Sequence, residues 1–321
     1  MRFVIALVLA MLLGFALRYG FDYRLGWLLV VVYLGFYALL GCFKPFAEVE
    51  TGDKPDPRTH QFPTSGPVGR FGQSGLILLF FSSQLLALFN PFQLSQLLRQ
   101  LYGNIVLQWR MSRLGSDGRD RPTDIRYRLP FQGEWLLLNG GPTPKTSHSE
   151  DALTQRFALD FVVADELGKR HRGRGTDVSE YGCYGQPILA AADGEVVKVV
   201  DGIKDAPLVG WGLCDFTARH FAGNHVIIRH ADHEYGFYAH LIRDRIEVQP
   251  GDTVERGQVI GYCGHSGHST EPHLHFHIQD GPNFFRAMGR PIRFQSAQLD
   301  GAAMPDEYLP RAGERLSAAR S

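Results

Sequence analysis

The sequence predicts two or three N-terminal transmembrane helices followed by an all-β, sandwich- or barrel-like C-terminal domain. Three observations carry this expectation. Residues 3–17 and 26–43 are apolar runs without a single charge. From Tyr127 to about Phe294 the apolar segments are short and separated by glycine-bearing turns, the pattern of many short strands. Near the end of that region His273, His275 and His277 alternate with Leu274, Phe276 and Ile278. Alternate side chains of a strand point to opposite faces, so this spacing sends the three apolar residues into a core and aligns the imidazoles on the other face.

Residues 26–43 are long enough to cross a bilayer, residues 3–17 reach that length only with their flanks, and residues 75–89 form a third, weaker run. Residues 3–17 also resemble the apolar stretch of a cleavable signal peptide. They lack a small-x-small cleavage site and are followed at once by another apolar run, which favours a membrane hairpin. Charge does not orient it: Lys44, Lys54, Arg58 and Arg70 favour a cytoplasmic loop, and the placement of Arg2 conflicts with the rest under two spans or three. After Asn90-Pro91, Leu94, Leu97, Leu98, Leu101, Tyr102 and Ile105 recur as one helix face, with Gln93, Gln96, Gln100 and Asn104 on much of the remainder. Such a face suits either a membrane interface or packing on the folded domain.

The chain divides into a membrane region at 1–110, a charged, glycine-bearing linker at 111–125, a β domain at 126–297 and a polar tail, peripheral or disordered, at 298–321. Within the domain, residues 224–230 and 235–240 read as a hairpin and 201–223 as an insertion. Lys plus Arg and Asp plus Glu both total 33, so no basic excess points to nucleic acid. Cys42 lies in an apolar run, and Cys183, Cys214 and Cys263 lack the spacing of a zinc knuckle, although two of these three suit a disulfide outside the cytoplasm.

Imidazole is the commonest side-chain ligand of zinc and titrates near neutral pH, so three on one strand face point to metal-assisted acid–base chemistry rather than to a plain polar face. Six elements occur in order: Gly194-Glu195-Val196-Val197, Gly223-Asn224-His225-Val226-Ile227-Ile228-Arg229-His230, Tyr238-Ala239-His240-Leu241, Gly251-Asp252-Thr253-Val254, Gly257-Gln258-Val259-Ile260-Gly261 and Glu271-Pro272-His273-Leu274-His275-Phe276. Together, over about residues 130–295, they resemble the lysostaphin-type (LytM-like) zinc endopeptidases that cut peptide cross-links in bacterial cell walls. The resemblance implies an antiparallel β metallopeptidase domain that uses Zn2+. In that family the ion is held by the His and Asp of an H-x-x-x-D element and the second His of H-x-H. Carried over, it implies Asp160 and His275 as zinc ligands and His240 and His273 as the catalytic pair.

One position departs from the pattern. Arg156 stands four residues before Asp160, where the family has His, and a guanidinium offers no lone pair to zinc. Either His148 supplies the missing imidazole, favoured because Asp160, His240, His273 and His275 are all present, or the site is degenerate and the domain binds cell wall or regulates another hydrolase. If the strand reaches back to Arg156, that residue shares the face of Asp160 and is placed for a substrate carboxylate. His277 is expected outside the ligand set, His265 and His268 at the cleft rim, and His230 either orienting a ligand or at a solvated strand end. A carrier-type β-domain, suggested by residues 248–261, lacks a lysine at a hairpin tip. The resemblance thus implies a membrane-anchored zinc metalloendopeptidase of the cell membrane, its catalytic domain on the extracytoplasmic side. Its expected partners are peptidoglycan peptides and the membrane.

Overall fold

Short alternating segments closed by glycine turns fold here into fifteen strands among the described residues. The computed structural model describes residues 66–114, 121–142 and 152–318, together with Tyr33 and Gly35, and residues 66–318 lie within one unit. Within residues 66–318, the α-helices are α1 (Gly72–Ala87) and α2 (Pro91–Arg113). They are followed by β1 (Arg126–Tyr127), β2 (Glu134–Asn139), β3 (Leu159–Val162), β4 (Pro187–Leu189), β5 (Gly194–Val200), β6 (Asn224–Ala231) and β7 (Glu234–Leu241). Then come β8 (Thr253–Val254), β9 (Val259–Tyr262), β10 (Leu274–Gln279), β11 (Gly289–Arg290), β12 (Arg293–Phe294), β13 (Ala297–Leu299), β14 (Ala302–Ala303) and β15 (Arg315–Ala318).

The expected transmembrane helices are corrected by the structure: among the described residues no helix is long and apolar enough to cross a membrane. The third candidate run falls in α1, which has 16 residues. At 1.5 Å per residue that is about 24 Å, short of the ~30 Å hydrocarbon layer. The chain turns at Asn90, whose side chain accepts from the Phe92 N–H at 3.0 Å and caps α2, with Pro91 in the first turn where no N–H is needed. The other two candidate runs, apart from Tyr33 and Gly35, lie outside the described residues.

Helix α2 packs on the β domain by the opposite face to its apolar one. Gln93, Gln96, Gly103 and Leu107 are buried, whereas Leu94, Leu98, Leu101, Tyr102 and Ile105 are exposed. The reason is hydrogen bonding. The loop at 215–221 presents carbonyls that no strand takes up. Gln93 Nε2 donates to Asp215 O (2.7 Å) and Ala218 O (3.0 Å), Gln96 Nε2 donates to Arg219 O (2.8 Å), and Asn90 Nδ2 donates to Phe216 O (3.1 Å). Gln96 Oε1 in turn accepts from Phe221 N at 3.0 Å. Each buried polar group left unpaired costs about 1–3 kcal/mol, so a row of amides outcompetes a row of leucines at this surface.

The main sheet runs β14-β13-β15-β2-β3-β10-β7-β6-β5-β8, with β11 also paired to β10, and two small sheets, β4-β9 and the parallel pair β1-β12, accompany it. Residues 298–321 were expected as a peripheral tail. Instead β15 pairs with β2 and β13 pairs with β15, so this segment extends the sheet. The expected hairpin is β6–β7. Leu274, Phe276 and Ile278 are fully buried in the main core with Val226, Ile228, Tyr238, Ile188 and Ile260, each worth roughly 1.5–3 kcal/mol of burial. The opposite face of β10 is covered too, by Ala222, Ile227, Phe237, Ala239, Phe284 and Phe285. A buried carboxylate, Glu234, locks the first strand in place by accepting from Tyr127 Oη at 2.7 Å and pairing with Arg290 at 3.0 Å. Cys183, Cys214 and Cys263 are free buried thiols, so the suggested disulfide is not formed.

Candidate active site

The site grows out of register. On β10, His275 stands directly opposite Asp160 of β3 on one side and Ala239 of β7 on the other. Directly opposed residues share a face, so Asp160 and His275 meet: His275 Nδ1 lies 2.8 Å from Asp160 Oδ1. A register irregularity in β2 between Leu137 and Asn139 brings Asn139 opposite Asp160. Its Nδ2 donates to Asp160 Oδ2 at 2.8 Å, fixing the carboxylate plane.

His273 lies just before β10, its Nε2 3.8 Å from Asp160 Oδ1. Its Nδ1–H donates to Glu271 O at 2.8 Å, which leaves Nε2 as the lone-pair nitrogen. His240 reaches the same place by a different route. Along β7, Phe237 and Ala239 belong to the cluster on the site face while Tyr238 belongs to the main core. Strict alternation would send His240 after Tyr238. Its φ of 62°, left-handed and unusual for a non-glycine residue, breaks the alternation and turns the ring into the site. There it sits 4.6 Å from the His273 ring and 5.9 Å from that of His275. Its Nδ1–H donates to Ser266 O at 2.7 Å, so Nε2 is again the free base. Burial, then the neighbouring His273 and His275, holds His240 well below the ordinary imidazole range.

His240 and His275 border a cleft of about 190 Å³ that Gln155, Phe221, Ala222, His268 and Phe284 also line. Helix α2 shapes its wall: Gln93 Oε1 bonds His268 Nε2 at 2.7 Å, and the His268 ring lies tilted against Phe221, centroids 4.5 Å apart. His268 therefore lines the cleft as expected, while His265 is buried behind it, Nδ1 to Ser269 Oγ at 2.8 Å. His230 bonds Asp193 O at 2.9 Å and Tyr238 Oη at 3.2 Å and orients no site residue. Arg156 does not share a strand face with Asp160, because β3 begins at Leu159 and Arg156 lies in the preceding turn, its guanidinium 5.1 Å over the Phe157 ring. His148 lies outside the described residues. Sequence reasoning missed Asn139 and Gln155, since an amide in a strand or a turn carries no spacing signal.

As a metal centre the described side chains make a partial fit. Asp160 and His275 converge as two oxygen and nitrogen donors of the kind zinc takes. Among the described residues no group of three or more His, Cys, Asp or Glu side chains is placed to hold a metal ion.

Residues 171–287 match Peptidase family M23, a stretch that contains His240, His273 and His275 and begins after Asp160. Among curated relatives, the chain is 36% identical over 95 residues to the peptidoglycan DD-endopeptidase ShyA of Vibrio cholerae, covering 29% of this chain and 20% of that protein. It is 31% identical over 148 residues to the peptidoglycan DD-endopeptidase ShyC of the same organism, covering 46% of this chain and 28% of that one. The chain thus spans less than a third of the length of these relatives. Among solved structures, a zinc-containing peptidase from Vibrio cholerae is 23% identical with a TM-score of 0.28, covering 55% of this chain and 44% of that one.

Proposed function

We propose, on the premise that the chain carries a domain of the M23 peptidase family, that it hydrolyses peptide bonds in peptidoglycan and uses zinc to do so. The observation that supports this best is the convergence of Asp160, His240, His273 and His275 from three different strands and a loop, beside a cleft that His240 and His275 line. Asp160 and His275 would hold the ion, with His148 as the third ligand in place of the position taken by Arg156. Bound there, zinc supplies a Lewis acid for the scissile carbonyl and lowers the pKa of a water. The chain's own residues handle the protons. Two imidazoles with Nδ1 tied to backbone carbonyls, His240 and His273, keep Nε2 as a base to take a proton from the attacking water and return it to the leaving amine. Asn139 keeps the Asp160 carboxylate from rotating away. Peptidoglycan lies outside the cytoplasmic membrane, so the domain acts on the extracytoplasmic side.

The test is zinc content and peptide release. The purified full-length chain should carry about one zinc per molecule and release peptides from purified cell walls. His275→Ala and His148→Ala should lose the metal, and His273→Ala should keep it without releasing peptides. No stoichiometric zinc in the wild type overturns the metallopeptidase reading. Full affinity in His148→Ala overturns that ligand, and zinc binding without peptide release overturns the hydrolytic activity.

A further inference from the structure

His277 was set outside the ligand set, and the structure gives it another task. His275 Nε2 lies 3.0 Å from His277 Nδ1, His277 Nε2 lies 3.0 Å from Gln279 Oε1, and Gln279 Nε2 donates to Gly281 O at 2.7 Å. The direction of this chain is fixed from its far end. Gly281 O only accepts, so the Gln279 amide must turn its NH2 that way and its carbonyl toward His277. A carbonyl only accepts, so His277 carries its proton on Nε2. The neutral ring then offers Nδ1 as an acceptor, and His275 must donate through Nε2–H. What remains on a neutral His275 is a lone pair on Nδ1, aimed at Asp160 Oδ1 from 2.8 Å.

We infer that His277 and Gln279 are positioning residues that select the Nε2–H tautomer of His275, so that its Nδ1 lone pair faces Asp160 as a ligand atom. Two lone pairs facing each other at that distance are stable only with a cation between them, either a proton or a metal ion. The relay is built to hold. His277 and Gln279 are both fully buried, and the His277 ring stacks on Phe237 at 4.8 Å and 21°, so neither water nor ring rotation can reverse the order. The sequence alternation served both ends: β10 places residues 275, 277 and 279 on one face, two apart, within hydrogen-bond reach of each other.

The functional meaning of this tautomer rests on the zinc reading, but the tautomer itself is testable without metal. In the full-length chain with nitrogen-15-labelled histidine, stripped of metal, the His275 ring should carry a proton on Nε2, with or without a second proton shared between Nδ1 and Asp160. His277→Leu should abolish that preference and weaken zinc binding, measured by competition with a chromophoric chelator, by about 10–100-fold. His277→Asn restores an acceptor next to His275 and should recover most of the affinity. A wild-type His275 without a proton on Nε2 overturns the inference, as does His277→Leu that keeps the tautomer or binds zinc as tightly as the wild type. If His277→Leu does not fold, the wild-type spectrum alone decides. A wild type that binds no zinc yet shows the Nε2–H tautomer would sink the proposed function and leave the relay standing.

Discussion

Arg170 Nε lies 2.7 Å from Glu271 Oε1, with 7% and 6% of the two side chains exposed. Glu271 opens the Glu271-Pro272-His273 segment, and its carbonyl accepts both the His273 Nδ1–H at 2.8 Å and the Ser269 Oγ–H at 2.6 Å. The ion pair therefore braces the backbone that orients the His273 imidazole. Arg170→Met would leave a carboxylate in the interior without its counter-ion, at an expected cost of about 3–5 kcal/mol. The pair is itself incompletely satisfied, because Arg170 Nε and Nη1 and Glu271 Oε2 are buried without an aligned hydrogen bond, the 2.7 Å contact being an ion pair only. Replacing both residues by apolar ones of similar size should then come out within ~1 kcal/mol of wild type, or above it. Urea unfolding of wild type, Arg170→Met, Glu271→Leu and the double variant, followed by far-ultraviolet circular dichroism, closes the cycle. The expected signature is a double variant more stable than Arg170→Met. A loss under ~1 kcal/mol in Arg170→Met, or a double variant as unstable as the two losses added, would refute the bracing role.

Gly103 of α2 packs so closely that a Cβ there would lie 1.7 Å from Phe285 O. Gly103→Ala should thus destabilise by about 1–3 kcal/mol even though alanine raises intrinsic helicity by ~1 kcal/mol; a higher urea midpoint would show that this helix face is not docked. His225 and His265 are fully buried with Nε2 unpartnered, and burial holds His225 well below its ordinary range and pushes His265 down to about 3. The unfolded chain takes up these protons near pH ~6.5 and the folded one does not, so stability should be flat above about pH 7 and fall as the pH drops from ~6.5 toward ~3. A urea midpoint unchanged between about pH 7 and 4.5 would contradict that. At His240, with φ 62°, glycine relieves a left-handed cost of about 1–2 kcal/mol that alanine keeps. Both variants should lose roughly 10²–10⁴-fold in peptide release, with His240→Gly at least as stable as His240→Ala; a clearly more stable alanine variant would argue against backbone strain.

Much of this was legible because strand periodicity is local. The alternation from His273 to Ile278 correctly separated a core face from a histidine face, and the order of glycine-bounded segments correctly announced a mostly β domain. The same logic failed where a distant partner decides. The leucine stripe of α2 looked like the buried face, yet the carbonyls of the loop at 215–221 select the glutamines. Nothing in the order of residues 91–113 says that an unpaired loop more than a hundred residues later will need donors. The tail erred for a related reason: β15 is only four residues long, and its pairing with β2 is a non-local contact.

The site shows the limit most sharply. His275 and Asp160 can be paired by register once both strands are known, because each obeys the two-residue repeat. His240 cannot. Its ring enters the cleft only because the backbone leaves the repeat at that residue, and Asn139 reaches Asp160 only because β2 is irregular between Leu137 and Asn139. Both are departures from the rule that made the rest readable. Departures of this kind concentrate where a side chain must be aimed against the direction its strand would give it. The relay through His277 and Gln279 is the converse case. It follows the repeat without interruption, and it escaped notice because a regular face of polar residues reads as solvated until its far side proves to be covered by Phe237, Phe284 and Phe285. Burial is what turns that row into a sequence of hydrogen bonds with a single direction.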